Sequence, residues 1–271
     1  MNTKGENSMV VYNQTSSIEA LSRASNSCHI LAFGAHPDDI ELSVGGIIAL
    51  ASQQGYGVVI VDLTRGEMAT KGTAEIREEE AKLAADLLGV RERRNCSWPD
   101  GSLSNPLFWS ERIEELVMLM RRYRPQIVLA PGGRDRHPDH EGASELVRQA
   151  LFYAGIEKYV GPCDEKEELG EPWRPRQLYH YRLNASLLDG PQPLLVDVSS
   201  VYELKKKAIV AYASQFGQLW EEECQRLGIP HLLHWLVGRD KYLGGLANVA
   251  YAEPLYGEKP FVLKDLSALW E

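Results

Sequence analysis

At 271 residues, with 44% hydrophobic and 25% charged side chains, the chain has ordinary globular composition, which excludes disorder, collagen and coiled coil as descriptions of the whole. Its 29 Lys and Arg against 38 Asp and Glu give a net charge of -9, which excludes a general binder of phosphate backbones or anionic lipid; any anionic partner must meet a local basic site. The four cysteines, Cys28, Cys96, Cys163 and Cys224, form no CxxC pair and read as reduced, mostly core thiols of a cytoplasmic protein, since no uncharged apolar stretch approaches the ~20 residues of a bilayer span.

Residues 1–27, rich in Ser, Asn and Thr, read as a polar arm ahead of a single domain at 28–271. The apolar run 29–33, closed by Gly34, reads as a buried strand, and 43–54 as a helix stopped at Gly55. A second buried strand follows at 58–63. Thr73 is placed to cap a helix through Leu88, with Ile76, Leu83 and Leu87 as the apolar stripe, Glu78 and Lys82 as an i,i+4 pair, and Gly89 as the stop. Ser110 then precedes Ile113, Leu116, Val117 and Met120 at helical spacing, and Pro125 ends that helix before a strand at 127–130. A helix over 141–154 turns Leu146, Val147, Ala150 and Leu151 inward. Beyond a charged, proline-containing excursion at 161–175, strands are expected at 177–181 and 194–198, then a last helix containing Ala208, Ile209, Ala211 and Tyr212. This alternation predicts an α/β, Rossmann-like fold: a largely parallel sheet flanked by helices, with a C-terminal strand and helix extension.

Open parallel sheets bind ligands beyond the carboxyl ends of their strands, and the chemistry-bearing residues fall there. The strand at 29–33 leads into Ala35-His36-Pro37-Asp38-Asp39, that at 58–63 into Thr64-Arg65-Gly66-Glu67, and that at 127–130 into Arg134-Asp135-Arg136-His137-Pro138-Asp139-His140. An isolated His-Pro is usually a turn and an isolated Asp-Asp a solvated helix start. Two such segments at strand ends, in a chain with seven histidines, point instead to a metal site. Catalytic zinc takes three protein ligands and keeps one position open, which His36, Asp39 and His140 satisfy. Asp38 is then suited to accept a proton from water, His137 to donate to an oxyanion or leaving group, and Asp139 to hold the His137 tautomer. Two histidines and a carboxylate also make the facial triad of non-haem Fe(II) oxygenases, although the strand-helix alternation contradicts the β-barrel those enzymes usually use. A non-catalytic sugar- or metal-binding protein is a third reading. His29 and His180 read as structural. Gly45 and Gly46 read as close helix-sheet packing, because Asp38, Asp39 and Glu41 would repel a pyrophosphate.

The segments Ala35-His36-Pro37-Asp38-Asp39-Ile40-Glu41 and His137-Pro138-Asp139-His140 resemble the paired motifs of the PIG-L/LmbE-like zinc N-acetylglucosamine deacetylases. The resemblance runs from about Ile30 to Phe261 and includes 62–67, 72–81, 99–101, 135–136, 214–216 and 251–253. Those intermediate segments look most like the bacillithiol-pathway branch, which deacetylates N-acetylglucosaminyl-malate. The resemblance implies Zn2+, with Fe2+ as the alternative in the cell, on His36, Asp39 and His140, Asp38 as general base, and His137 with Asp139 near the developing oxyanion. It further implies sugar binding by Arg77 and Asp100. Arg136 matches an arginine that in hexameric relatives serves a neighbouring subunit's site, so a homo-oligomer is expected. Arg65 is added because a malate carboxylate calls for a bidentate donor. Where some relatives carry a tyrosine that polarises the amide, this chain has Leu232, between His231 and His234, and either histidine is a candidate replacement. The expected reaction is hydrolysis of the N-acetyl group of a small acetamido sugar conjugate, the malate conjugate or another, with neither nucleic acid nor membrane as partner.

Overall fold

The computed structural model describes residues 28–132, 134–159, 170–183, 192–217, 222, 224–226 and 231–259. The polar arm and most of the excursion at 161–175 lie outside them. Apolar runs become central strands: β1 (Ile30–Gly34), β2 (Val58–Thr64) and β4 (Ile127–Pro131) are buried almost throughout. Helices on both faces of a parallel sheet require such strands to be apolar on both sides. With β3 (Glu92–Trp98), β5 (Gln177–Tyr181), β6 (Leu194–Asp197) and β7 (Ala252–Gly257) they form one sheet in the order β3-β2-β1-β4-β5-β7-β6. The first five in that order are parallel, and β7 runs antiparallel to both β5 and β6.

Helices α1 (Asp39–Gln53), α2 (Ala74–Leu88) and α5 (Tyr202–Ala211) build the core on one face, and α3 (Trp109–Tyr123) and α4 (Pro138–Ala154) the core on the other. Helix α6 (Leu232–Leu246) packs beside β7. The connections reverse direction between β1 and β4, so the carboxyl ends of these two strands flank the crevice in which such sheets bind ligands.

Several elements differ from expectation, each for a physical reason. α1 starts at Asp39, four residues before the predicted Ser43, because Asp38 turns the chain in the left-handed region at φ 104°. α4 starts at Pro138 rather than 141, with the His137 ring accepting from the Asp139 N–H as its cap. α2 has the predicted cap and stop, Thr73 Oγ1 accepting from Ile76 N and Gly89 at φ 71°, but its apolar stripe is corrected. Ile76 and Leu83 are 47% and 52% exposed, while Arg77, Ala81, Ala84 and Leu88 face inward. Glu78 turns to Arg65, 3.4 Å away.

Strand β3 is not predicted, since Glu-Arg-Arg-Asn carries no apolar run. It is an edge strand, and its Arg93 pairs with two buried carboxylates, Asp62 at 2.7 Å and Glu41. The helix expected to be last is followed by α6 and β7, and β7 inserts between β5 and β6. The C-terminal strand and helix extension thus joins the sheet through β7. Among the described residues, Cys28, Cys96 and Cys224 are free thiols and no helix is long and apolar enough to cross a membrane.

Candidate metal centre

The turn after β1 delivers His36, the first turn of α1 delivers Asp39, and the first turn of α4 delivers His140. The three are 8%, 2% and 5% exposed, and one ligand atom from each lies within 4.8 Å of the others. The Asp39 carboxylate sits between the rings, Oδ1 3.4 Å from His140 Nε2 and Oδ2 3.7 Å from His36 Nδ1. Ligand atoms about 2.0–2.2 Å from one tetrahedral ion stand about 3.3–3.6 Å apart, so the donor set fits a zinc-sized ion. Asp39 Oδ2 is also fixed by the His36 N–H at 2.9 Å. On the far side of its ring, His140 places Nδ1 3.1 Å from Asp135 Oδ2, the arrangement by which an outer carboxylate orients a metal-binding imidazole.

The electrostatics agree with a cation site. Burial opposes charging of His36, yet its contacts with Asp100 (3.0 Å), Asp139 (3.6 Å) and Asp39 outweigh that and raise its imidazole to about 12. Burial likewise opposes charging of His140, and Asp39 and Asp135 lift it to about 9. Asp39 is held well below the usual carboxylate range, its burial being overcome by His140 and His36. Without an ion, the carboxylate field charges both imidazoles, and a divalent cation satisfies the same field.

A second group, His36 with His137 and Asp139, also brings donor atoms together. Its Asp139 oxygens and one His137 nitrogen are already engaged. The Asp139 oxygens accept from Gly101 N (2.7 Å) and Leu103 N (3.0 Å), and His137 Nδ1 accepts from Asp139 N (3.2 Å). This corrects the expected Asp139 role: its carboxylate holds the 99–103 turn that carries Asp100, and its backbone N–H fixes the His137 tautomer. With Nδ1 accepting, the neutral His137 ring carries its proton on Nε2. Burial first, then the neighbouring His36 and His140, push the His137 pKa down.

Asp38 is buried beside the triad and clamped by Arg77, whose Nη2 donates to Asp38 Oδ2 (2.9 Å) and to Pro37 O (2.5 Å) and whose Nη1 donates to Gly66 O (3.0 Å). Burial pushes the Asp38 carboxyl up to about 7 against the pull of Arg77. Gly66, at φ 66°, is required by this clamp, because a Cβ there would lie 2.0 Å from Arg77 Nη1.

A cavity of about 1070 Å³ opens over these groups. His36, Asp38, Asp39, Arg77, Asp100, His137 and His140 line it, with Arg136, exposed, at its edge. Asp100 accepts from Met68 N (3.0 Å) and faces His36. Arg65 is not brought to the cavity. It pairs with Glu75 (3.0 Å) and Glu78 beside a separate depression of about 410 Å³. His231 caps α6 through Nδ1, accepting from Leu233 N, and the cavity wall at this point is Leu232, Trp235 and Leu236. Asp135, given no role by the sequence although it lies in the strand-end segment and in the resemblance at 135–136, is placed at the site, where it accepts the His137 backbone N–H at 2.8 Å.

Residues 31–151 match the family described as PIG-L: GlcNAc-PI de-N-acetylase. The chain is 28% identical over 242 residues to the diacetylchitobiose deacetylase of Thermococcus kodakarensis, spanning 83% of this chain and 80% of that protein. It is 30% identical over 189 residues to the probable N-acetyl-alpha-D-glucosaminyl L-malate deacetylase 2 of Bacillus anthracis, spanning 59% and 82%. It is also 28% identical over 259 residues to the 4-oxalmesaconate hydratase of Pseudomonas putida, spanning 88% and 92%. Among solved structures, the conserved protein TT1542 from Thermus thermophilus superposes with a TM-score of 0.74 at 36% identity, covering 88% of this chain and 98% of that one.

Proposed function

Because the chain belongs to the PIG-L family of GlcNAc-PI de-N-acetylases, we propose that it is a metal-dependent N-deacetylase of acetamido sugar conjugates, adding water across the amide to release acetate and a free amine. The observation that carries the reading is the buried His36, Asp39 and His140 group with Asp38 and His137 beside it in one cavity. The ion we assign is zinc. When bound there it supplies Lewis acidity, drawing the pKa of water toward ~7 and polarising the acetyl carbonyl.

The protein's own groups then have separable tasks. Asp38, with its carboxyl poised at about 7, accepts the proton of the attacking water. Arg77 holds Asp38 in its strained conformation. His137 presents its Nε2 proton to the oxyanion that develops on the acetyl oxygen, and Asp139 fixes that ring through its backbone N–H. The proton on Asp38 is available to the departing amine. Asp100, which lines the cavity with its oxygens beside His36 and the Met68 N–H, is assigned to the sugar hydroxyls. Of the two cationic side chains among the described lining residues, Arg77 is committed to Asp38 and two carbonyls, so Arg136 is assigned to a carboxylate-bearing aglycone. N-acetylglucosaminyl-malate is the substrate we propose on that basis, with other acetamido sugar conjugates as the alternative. Zinc-loaded protein should remove one acetyl mass from the malate conjugate and release acetate stoichiometrically. Acetyl loss from simpler acetamido sugars alone would overturn the malate assignment, and retained metal with no acetyl loss from any of them would overturn the reaction.

The hydratase relative supports a second reading, addition of water to a carbon-carbon double bond at the same centre. Loss of enoate absorbance without acetate release would identify it.

A further inference from the structure

Helix α1 is broken inside its length. Val44 sits at φ -135°, ψ 19°, outside the helical region, so residues 39–43 and 45–53 form two segments that meet at a bend. In an unbroken helix the N–H groups of Gly46 and Ile47 would bond the carbonyls of Leu42 and Ser43. Here the two halves of those bonds are met by charged side chains from the C-terminal part of the chain. Glu253 of β7 accepts from Gly46 N (2.9 Å) and Ile47 N (2.7 Å), one with each carboxylate oxygen. Arg239 of α6 donates from Nη2 to Leu42 O (3.0 Å) and Ser43 O (3.4 Å).

Counter-charges complete the arrangement. Lys205 of α5 lies 2.6 Å from both Glu253 and Asp240, and Arg239 Nε donates to Asp240 at 2.8 Å. Two cations and two anions balance, and Lys205, Asp240 and Glu253 are 0% exposed and Arg239 5%. A neutral quartet with every charge paired is the form in which ions are tolerated in a core, and its hydrogen bonds to backbone give it a geometry that apolar packing does not specify. Gly46 is the seat of the carboxylate, since a Cβ there would stand 2.8 Å from Val198 Cβ and 3.1 Å from the Glu253 carboxyl carbon.

We propose that Arg239 and Glu253, with Lys205 and Asp240 as counter-charges, are positioning residues that set the bend of α1 and so aim Asp38 and Asp39 at the metal and the attacking water. None of the four touches a metal ligand directly; they act through the backbone between Leu42 and Ile47. All four lie outside residues 31–151, so a centre whose proposed ligands lie within that segment is tuned by residues beyond it. The inference rests on the reading of His36, Asp39 and His140 as metal ligands.

The test uses the full chain with Glu253→Gln, which keeps the shape but leaves one N–H without an acceptor, and Arg239→Lys, which keeps the charge but not the two-carbonyl reach. Zinc dissociation constants are measured by competition with a chromophoric chelator, at a temperature where circular dichroism reports each variant folded. Each variant should bind zinc more weakly than the wild type, with kcat lowered by up to about 100-fold and KM changed less. Arg239→Lys is the milder change and keeps the test open if Glu253→Gln does not fold. Folded variants with wild-type zinc affinity and kcat, whatever their melting temperature, would overturn the inference and leave the quartet a purely structural one. Wild-type protein that takes up no zinc would instead overturn the metal reading, and this inference with it.

Discussion

Arg77→Met is the most informative single change, because it leaves His36, Asp39 and His140 in place. Arg77 is 5% exposed and its guanidinium donates to Asp38 and to the carbonyls of Pro37 and Gly66. At a pH well above 7, where Asp38 is ionised, removing one member of this buried ion pair leaves the other charge uncompensated, which costs about 3–5 kcal/mol. The Asp38 side chain keeps 13% exposure, so water recovers part of its solvation and the lower end applies, about 3 kcal/mol. For a chain of this size that lowers the melting temperature by about 6–12 °C. Denaturant unfolding of the metal-free proteins, followed by circular dichroism, measures the loss directly. Adding Asp38→Asn removes the stranded charge, so the double variant should be more stable than the sum of the single changes predicts, by about 0.5–3 kcal/mol. An Arg77→Met protein as stable as the wild type, or a strictly additive cycle, would refute the clamp.

Asp38→Asn alone should lower kcat by about 10²–10⁴-fold while metal content, measured by atomic emission, stays at the wild-type level. Loss of metal together with activity would make Asp38 a ligand and not the base. Asp135→Asn should weaken metal affinity about 10–100-fold, because the His140 ring loses the carboxylate that orients it; a chelator competition curve superimposable on the wild type would exclude that role. Gly66→Ala forces a Cβ to within 2.0 Å of Arg77 Nη1 and should reproduce the Arg77→Met loss of stability and turnover, with little further change when the two are combined.

The central strands are legible because their apolar runs are long enough to have no other use, and the capped, glycine-stopped helix Ala74–Leu88 because its cap chemistry is local. The His36, Asp39 and His140 cluster is legible for a related reason: two His-Pro-Asp segments at strand ends concentrate donors in a way that turns do not. What stays hidden depends on partners distant in sequence. β3 is held by Arg93 against Asp62 and Glu41, and a strand anchored by an ion pair shows no apolar period. β7 carries Glu253 at its second residue, which interrupts the run that would have announced it. Both helix starts at the centre lie earlier than the apolar pattern predicts, because their first turns are spent on Asp39 and on Asp139-His140, residues that read as loop until their carboxylates have somewhere to go. The Asp139 carboxylate reads in the sequence as the partner of His137, since Gly101 and Leu103, to which it turns, are 38 and 36 residues away.

The insertion of β7 between β5 and β6 sets an order of events during synthesis. Residues 28–181 emerge with five parallel strands that pair among themselves, but β6, although made next, joins the sheet only through β7, which follows more than fifty residues later. Long-range pairings of this kind close late, because loop entropy must be overcome before they form. The same late strand brings Glu253 to the bend of α1, so the helix that presents Asp38 and Asp39 is made early and locked last. The turn that presents Asp38 and Asp39 therefore reaches its final setting only with the arrival of the C-terminal strand, so the cavity is a product of the whole sheet and not of its first five strands.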